Sequence, residues 1–140
     1  MNYLEPVPSL FLATVLLTGA AWDLRFHRIP NWLTFPAAAL AIAYHTATNG
    51  FSGFLFSLEG IAVGIAILLP FYLLGGMGAG DAKLLGAIGG VLGPKGVFLA
   101  FLFTALVGGI YALVLLAYHG FLKKAFLRYR IMVKTFLLTR

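Results

Sequence analysis

Two aspartates are the residues in this chain best suited to do chemistry. Asp23 opens the polar stretch DLRFHRIPN, and Asp81 lies near the end of the glycine-rich stretch GGMGAGDAK. The chain holds only four acidic residues, and both aspartates stand at the margins of strongly apolar segments. A carboxylate at the edge of a hydrocarbon layer is costly to place, so it marks a functional site. Two carboxylates held close together share a proton, and such a pair can activate a water while hydrogen-bonding a peptide carbonyl. That chemistry is aspartyl proteolysis. The plainer alternative has Asp81 capping a helix N-terminus and Asp23 solvated in a loop.

The remaining polar residues suggest less. His27, His45 and His119 are never spaced as i, i+3 or i+4 partners, and the chain has no cysteine. Disulfides, thiolate zinc sites and cysteine nucleophiles are therefore excluded within this sequence, and no metal or cofactor is expected. The string Gly50, Phe51, Ser52, Gly53 would serve a serine protease only if His45 reached Ser52; a glycine-serine turn is the expected role. Gly75, Gly76, Gly78 and Gly80 leave the backbone unhindered. That suits either the close approach of a substrate backbone or plain loop flexibility.

The elements that must position the aspartates are membrane helices. The 140 residues are 61% hydrophobic and 10% charged, with a mean hydropathy of +0.99, far above what a soluble surface tolerates. Apolar segments run over about 7–22, 32–48, 54–74, a short 82–92, and 96–118. The fourth covers only roughly 16 Å of a hydrocarbon core about 30 Å thick, so Asp81 is expected to be recessed or its helix to stop short. Gly86, Gly89, Gly90 and Gly93 fall at near-helical spacing on it, which permits close approach to a neighbouring helix. Residues 120–140 alternate apolar and basic residues at helical period, as in a basic amphipathic helix on an anionic membrane surface or a sixth span.

The net charge of +6 is best explained by orientation, not by nucleic acid, which is not an expected partner. With the N-terminus outside and five crossings, every Lys and Arg except Lys95 falls on the cytoplasmic side, together with Asp23 and Asp81. The first apolar segment follows MNYLEPVP and lacks a basic leader, so it is expected to remain in the mature protein. The expected architecture is an all-α polytopic membrane bundle of five to six transmembrane helices, forming one domain over residues 1–140.

The two polar stretches together resemble the signature regions of the type IV prepilin peptidases, the bacterial GxGD aspartyl proteases. Gly78, Ala79, Gly80 and Asp81 stand as the GxGD motif, followed by the Lys83 usual in that family, and Asp23 precedes an Ile-Pro-Asn string. The resemblance implies that Asp23 and Asp81 are the catalytic pair, with no cofactor. Arg25, Arg28, Pro30, Asn31, Gly78, Gly80 and Lys83 would support the motif or bind substrate. The implied substrates are prepilins with short basic leaders, cut at the cytoplasmic face of the bacterial inner membrane. The long form of the family carries a further cytoplasmic domain with two CxxC pairs and N-methylation. This cysteine-free sequence resembles the short, peptidase-only form associated with Flp/Tad-type pili. A non-enzymatic alternative is a small membrane scaffold or a proton-coupled transporter subunit whose acids carry protons or cap helices.

Overall fold

The structure, a computed structural model, describes residues 6–118; the expected basic amphipathic helix over 120–140 lies outside the described residues. Three helices follow one another: α1 over Pro6–Phe26, α2 over Asn31–Leu73 and α3 over Ala79–Tyr118. Each is long and apolar enough to cross a membrane, and no strand occurs among the described residues. Pro6 occupies a first helical turn, where its missing N–H costs nothing. Pro30, at φ −75° and ψ 142°, keeps the chain extended before α2 begins.

Both long helices are interrupted at a single glycine. Gly50 (φ 61°, ψ −141°) divides α2, and Gly93 (φ 72°, ψ 179°) divides α3. Such dihedrals are essentially reserved for glycine. The turn expected over residues 48–53 is therefore a one-residue break: Gly53 is helical and buried, pressed against the backbone of His45. Likewise the chain resumes helix at Pro94 directly after Gly93. The stretch from 79 to 92 rises only about 21 Å at ~1.5 Å per residue.

Pro94 has no N–H to offer the carbonyl four residues earlier, that of Gly90. The hydroxyl of Ser57, fully buried on α2, donates to that carbonyl at 2.8 Å. One residue on, Nε2 of the buried His45 lies 3.0 Å from the Val91 carbonyl. A carbonyl can only accept, so this nitrogen carries the hydrogen. Two α2 side chains thus satisfy backbone acceptors beside the α3 break, in a region where an unpaired carbonyl is expensive.

The chain divides into two compact units, Met1–Phe101 and Leu102–Arg140. The first packs around Val15 of α1, Ala37 of α2 and Ala87 of α3, with Phe11, Leu33, Ala38 and Leu84 against them. Deeper contact comes from a seam of small residues. A Cβ at Gly60 would run into the Gly89 backbone, one at Gly64 into Leu85 and Gly86, and one at Gly90 would stand 3.1 Å from Ile61. The close approach expected of Gly86, Gly89 and Gly90 therefore has its partner in Gly60 and Gly64, four residues apart on one face of α2. In the second unit, residues 102–118 are helical and expose Leu102, Phe103, Leu106, Val107, Ile110 and Leu113.

Candidate active site

The site is assembled where α1 ends, α2 begins and α3 begins. At the end of α1, His27 takes the left-handed conformation (φ 52°) and its N–H donates to the Asp23 carbonyl at 2.8 Å. This is the single-bond cap by which a helix ends in a left-handed residue. It makes Asp23 the last-turn residue whose backbone holds the loop. Trp22 packs edge-on against Trp32 across that loop, with ring centroids 5.4 Å apart, and lies 4.8 Å from the Phe26 ring.

A second cap delivers Asp81. Gly75 is left-handed (φ 74°); its N–H donates to Tyr72 at 3.0 Å, and the N–H of Gly76 donates to Phe71 at 2.9 Å. That pair of bonds is a Schellman motif, for which glycine is the favoured residue. Four residues beyond Gly75, the chain enters α3. The N–H of Asp81 reaches the Gly78 carbonyl at 3.2 Å, which places Asp81 third in the helix and not at its cap. Asp81 is half-buried, whereas Asp23 is exposed.

Two contacts join the stretches. A Cβ on Gly80 would stand 3.1 Å from the Ile29 Cβ and 3.5 Å from the Ile29 backbone nitrogen and oxygen. The Lys83 ammonium donates to Asn31 Oδ1 at 3.0 Å and lies 5.5 Å from the centre of the Phe35 ring. Asp23 and Asp81 consequently line one cleft of about 420 Å³, with His27, Arg28, Ile29, Asn31, Gly78, Ala79, Gly80 and Lys83.

Most residues singled out in the sequence meet here, and two do not. Arg25 is exposed and sits over the Phe26 ring at 5.7 Å, outside the cleft lining. Pro30 directs the backbone into α2 and also does not line the cleft. His27, whose spacing from the other histidines suggested no role, does line it. The glycines also prove specific: Gly75 is a helix cap, and the space beside Gly80 is filled by Ile29 of the same chain, not left open for a substrate backbone. Ser52 is exposed, while Nε2 of His45 is committed to Val91 and its Nδ1 is buried without a hydrogen-bond partner, so the two side chains do not form the pair the serine alternative needs.

What this cleft offers chemically is two carboxylates, two basic side chains, an imidazole and an amide. Among the described residues no three His, Cys, Asp or Glu side chains gather as a metal site would require, and no ion pair engages either aspartate.

Comparison with known proteins bears on the same region. The model of the type IV leader peptidase family matches residues 10–113. The chain is similar to the prepilin leader peptidase/N-methyltransferase of Bacillus subtilis (strain 168), at 37% identity over 118 residues, covering 77% of this chain and 44% of that protein. It therefore spans less than half the length of that curated relative. No solved structure matches.

Proposed function

The chain belongs to the type IV leader peptidase family, and we propose that it is a membrane-embedded aspartyl endopeptidase in which Asp23 and Asp81 are the catalytic pair. The observation that carries this reading is that the two aspartates, remote in sequence, line one cleft between three helix ends. One carboxylate takes a proton from a water as the water oxygen adds to the scissile carbonyl carbon. The other, protonated, hydrogen-bonds the carbonyl oxygen. Collapse of the tetrahedral adduct breaks the C–N bond, and the amine leaves with a proton from the pair. No covalent intermediate and no metal is needed.

Family membership supports prepilins as the substrate class, and the reading extends to prepilins of the Flp-like kind, whose short basic leader is removed just before an apolar helix. That helix docks among the spans in the lipid, and the leader lies at the cytoplasmic face of the inner membrane. The breaks at Gly50 and Gly93 support five crossing stretches, and the bias of Lys and Arg toward one side supports an N-terminus outside. On this topology residues 1–140 form a single peptidase domain. The short 79–92 stretch supports a site recessed below the membrane surface, in keeping with the half-buried Asp81. Co-expressing a prepilin with the wild type, Asp23→Asn or Asp81→Asn tests this. Processing should be complete with the wild type and absent with both variants; processed pilin from either variant overturns the proposal and returns the acids to helix capping or proton carriage.

A further inference from the structure

The Lys83 ammonium has two partners, and both are on α2: Asn31 Oδ1 at 3.0 Å and the Phe35 ring at 5.5 Å. Asn31 and Phe35 are four residues apart, so they present one face of the first turn of α2. On α3, Gly80 and Lys83 are three residues apart and likewise share a face. Gly80 packs on Ile29, two positions before Asn31, at 3.1 Å from a Cβ placed there. The start of α3 is therefore attached to the start of α2 at two points on matching faces, one steric and one polar. Asp81 lies between these points in sequence. Lys83 is two residues past Asp81, a spacing at which side chains leave a helix in different directions.

From this geometry we infer that Lys83 is a positioning residue: its hydrogen bond to Asn31 fixes the separation of the Asp23 and Asp81 carboxylates. The inference rests on the proposed reading of those aspartates as a working pair. The link runs through backbone already held. Ile29 and Asn31 follow the capped end of α1, where His27 donates to the Asp23 carbonyl. A lysine suits the task because a compact ammonium on a flexible stem can serve an amide oxygen and a ring face together. With the ammonium engaged on α2, it holds the cleft wall and does not contact the substrate.

Two measurements test this. Cleavage kinetics are taken for Lys83→Met, Asn31→Ala, the double variant, and the exchanged pair Asn31→Lys with Lys83→Asn, which reverses donor and acceptor. Each single variant should lower kcat by about 10²-fold, the loss expected of an ~1 Å misplacement of catalytic groups, with KM little changed. The double variant should be no worse than either single one, and the exchanged pair should recover at least tenfold. A KM increase at constant kcat, or a kcat within twofold of wild type in Lys83→Met, overturns the inference.

The second measurement needs no activity. The chain has no cysteine, so spin labels at Arg25→Cys and Met77→Cys report only the distance between the last turn of α1 and the loop before α3. A single narrow distance distribution is expected in the otherwise wild-type protein and in the exchanged pair, and a broadened or longer one in Lys83→Met. Identical distributions in all of them overturn the inference. Should the wild type fail to cut prepilin, the proposed function falls while the distance measurement still decides the role of Lys83.

Discussion

A methyl group at Gly60 should damage both the packing and the activity of this protein, and the size of the effect can be worked from the seam. A Cβ at Gly60 would collide with the Gly89 carbonyl, lie 2.6 Å from that carbonyl carbon and 2.9 Å from the Gly93 Cα. Ordinary contact begins near 3.4 Å, so the Gly93 approach is short by about 0.5 Å and the Gly89 approach by more. All of these atoms are backbone, and no rotamer change relieves them. The two helices must separate by ~1 Å, at a cost of about 1–3 kcal/mol for overpacking. Gly89 lies on the same helical stretch as Asp81, so the separation reaches the cleft, where an ~1 Å error costs roughly 10²-fold in rate. Gly109→Ala is the control. Its Cβ meets nothing within 4 Å, so the same methyl should stabilise the helix, by up to about 1 kcal/mol. Denaturation in mixed micelles, followed by the fluorescence of Trp22 and Trp32, measures both. A Gly60→Ala protein as stable as Gly109→Ala, cutting at the wild-type rate, would refute the seam.

Other substitutions probe the breaks and the caps. Alanine at Gly50 or Gly93 carries backbone strain of about 1–3 kcal/mol, because φ is 61° and 72° there. Only at Gly93 does the new Cβ also strike a side chain, the Phe56 ring, so Gly93→Ala should be the less stable variant in the same denaturation. Ser57→Ala removes the donor to the Gly90 carbonyl and should cost about 1 kcal/mol; unchanged stability would mean that Pro94 leaves no acceptor in need of it. At His27, whose φ is 52°, glycine should be tolerated and valine should lose about 1–2 kcal/mol by thermal unfolding, since a β-branched residue fits that conformation worst.

The site was more legible in the sequence than its supports were. Asp23 and Asp81 stood out because acids are costly near hydrocarbon, and the glycines at 86, 89 and 90 signalled a close helix approach through their spacing. Their partners Gly60 and Gly64 gave no comparable signal, because two glycines in a long apolar run read equally as loose helix. Hydrophobic patterning cannot separate a loop from a one-residue break when both sides are apolar, which is why Gly50 was placed in a turn and the break at Gly93 was not told from the helical glycines before it. Gly75 and Gly80 looked alike in sequence, yet one caps α2 and the other makes room for Ile29. The bond from Lys83 to Asn31 joins residues 52 positions apart, and no local rule relates them. Arg25 and Pro30 were grouped with the site by the family resemblance, but side-chain direction at a helix end takes Arg25 over Phe26 instead.

The central claim is that Asp23 and Asp81 act as one unit on a peptide bond. The most direct measurement is the initial rate at which the purified protein in lipid cuts a prepilin, for the wild type, Asp23→Asn, Asp81→Asn and the double variant. Groups that act as a unit lose nearly everything at the first removal. Both single variants should therefore fall to the uncatalysed background, with the double variant no lower. A single variant that still cuts within tenfold of the wild-type rate would contradict the account.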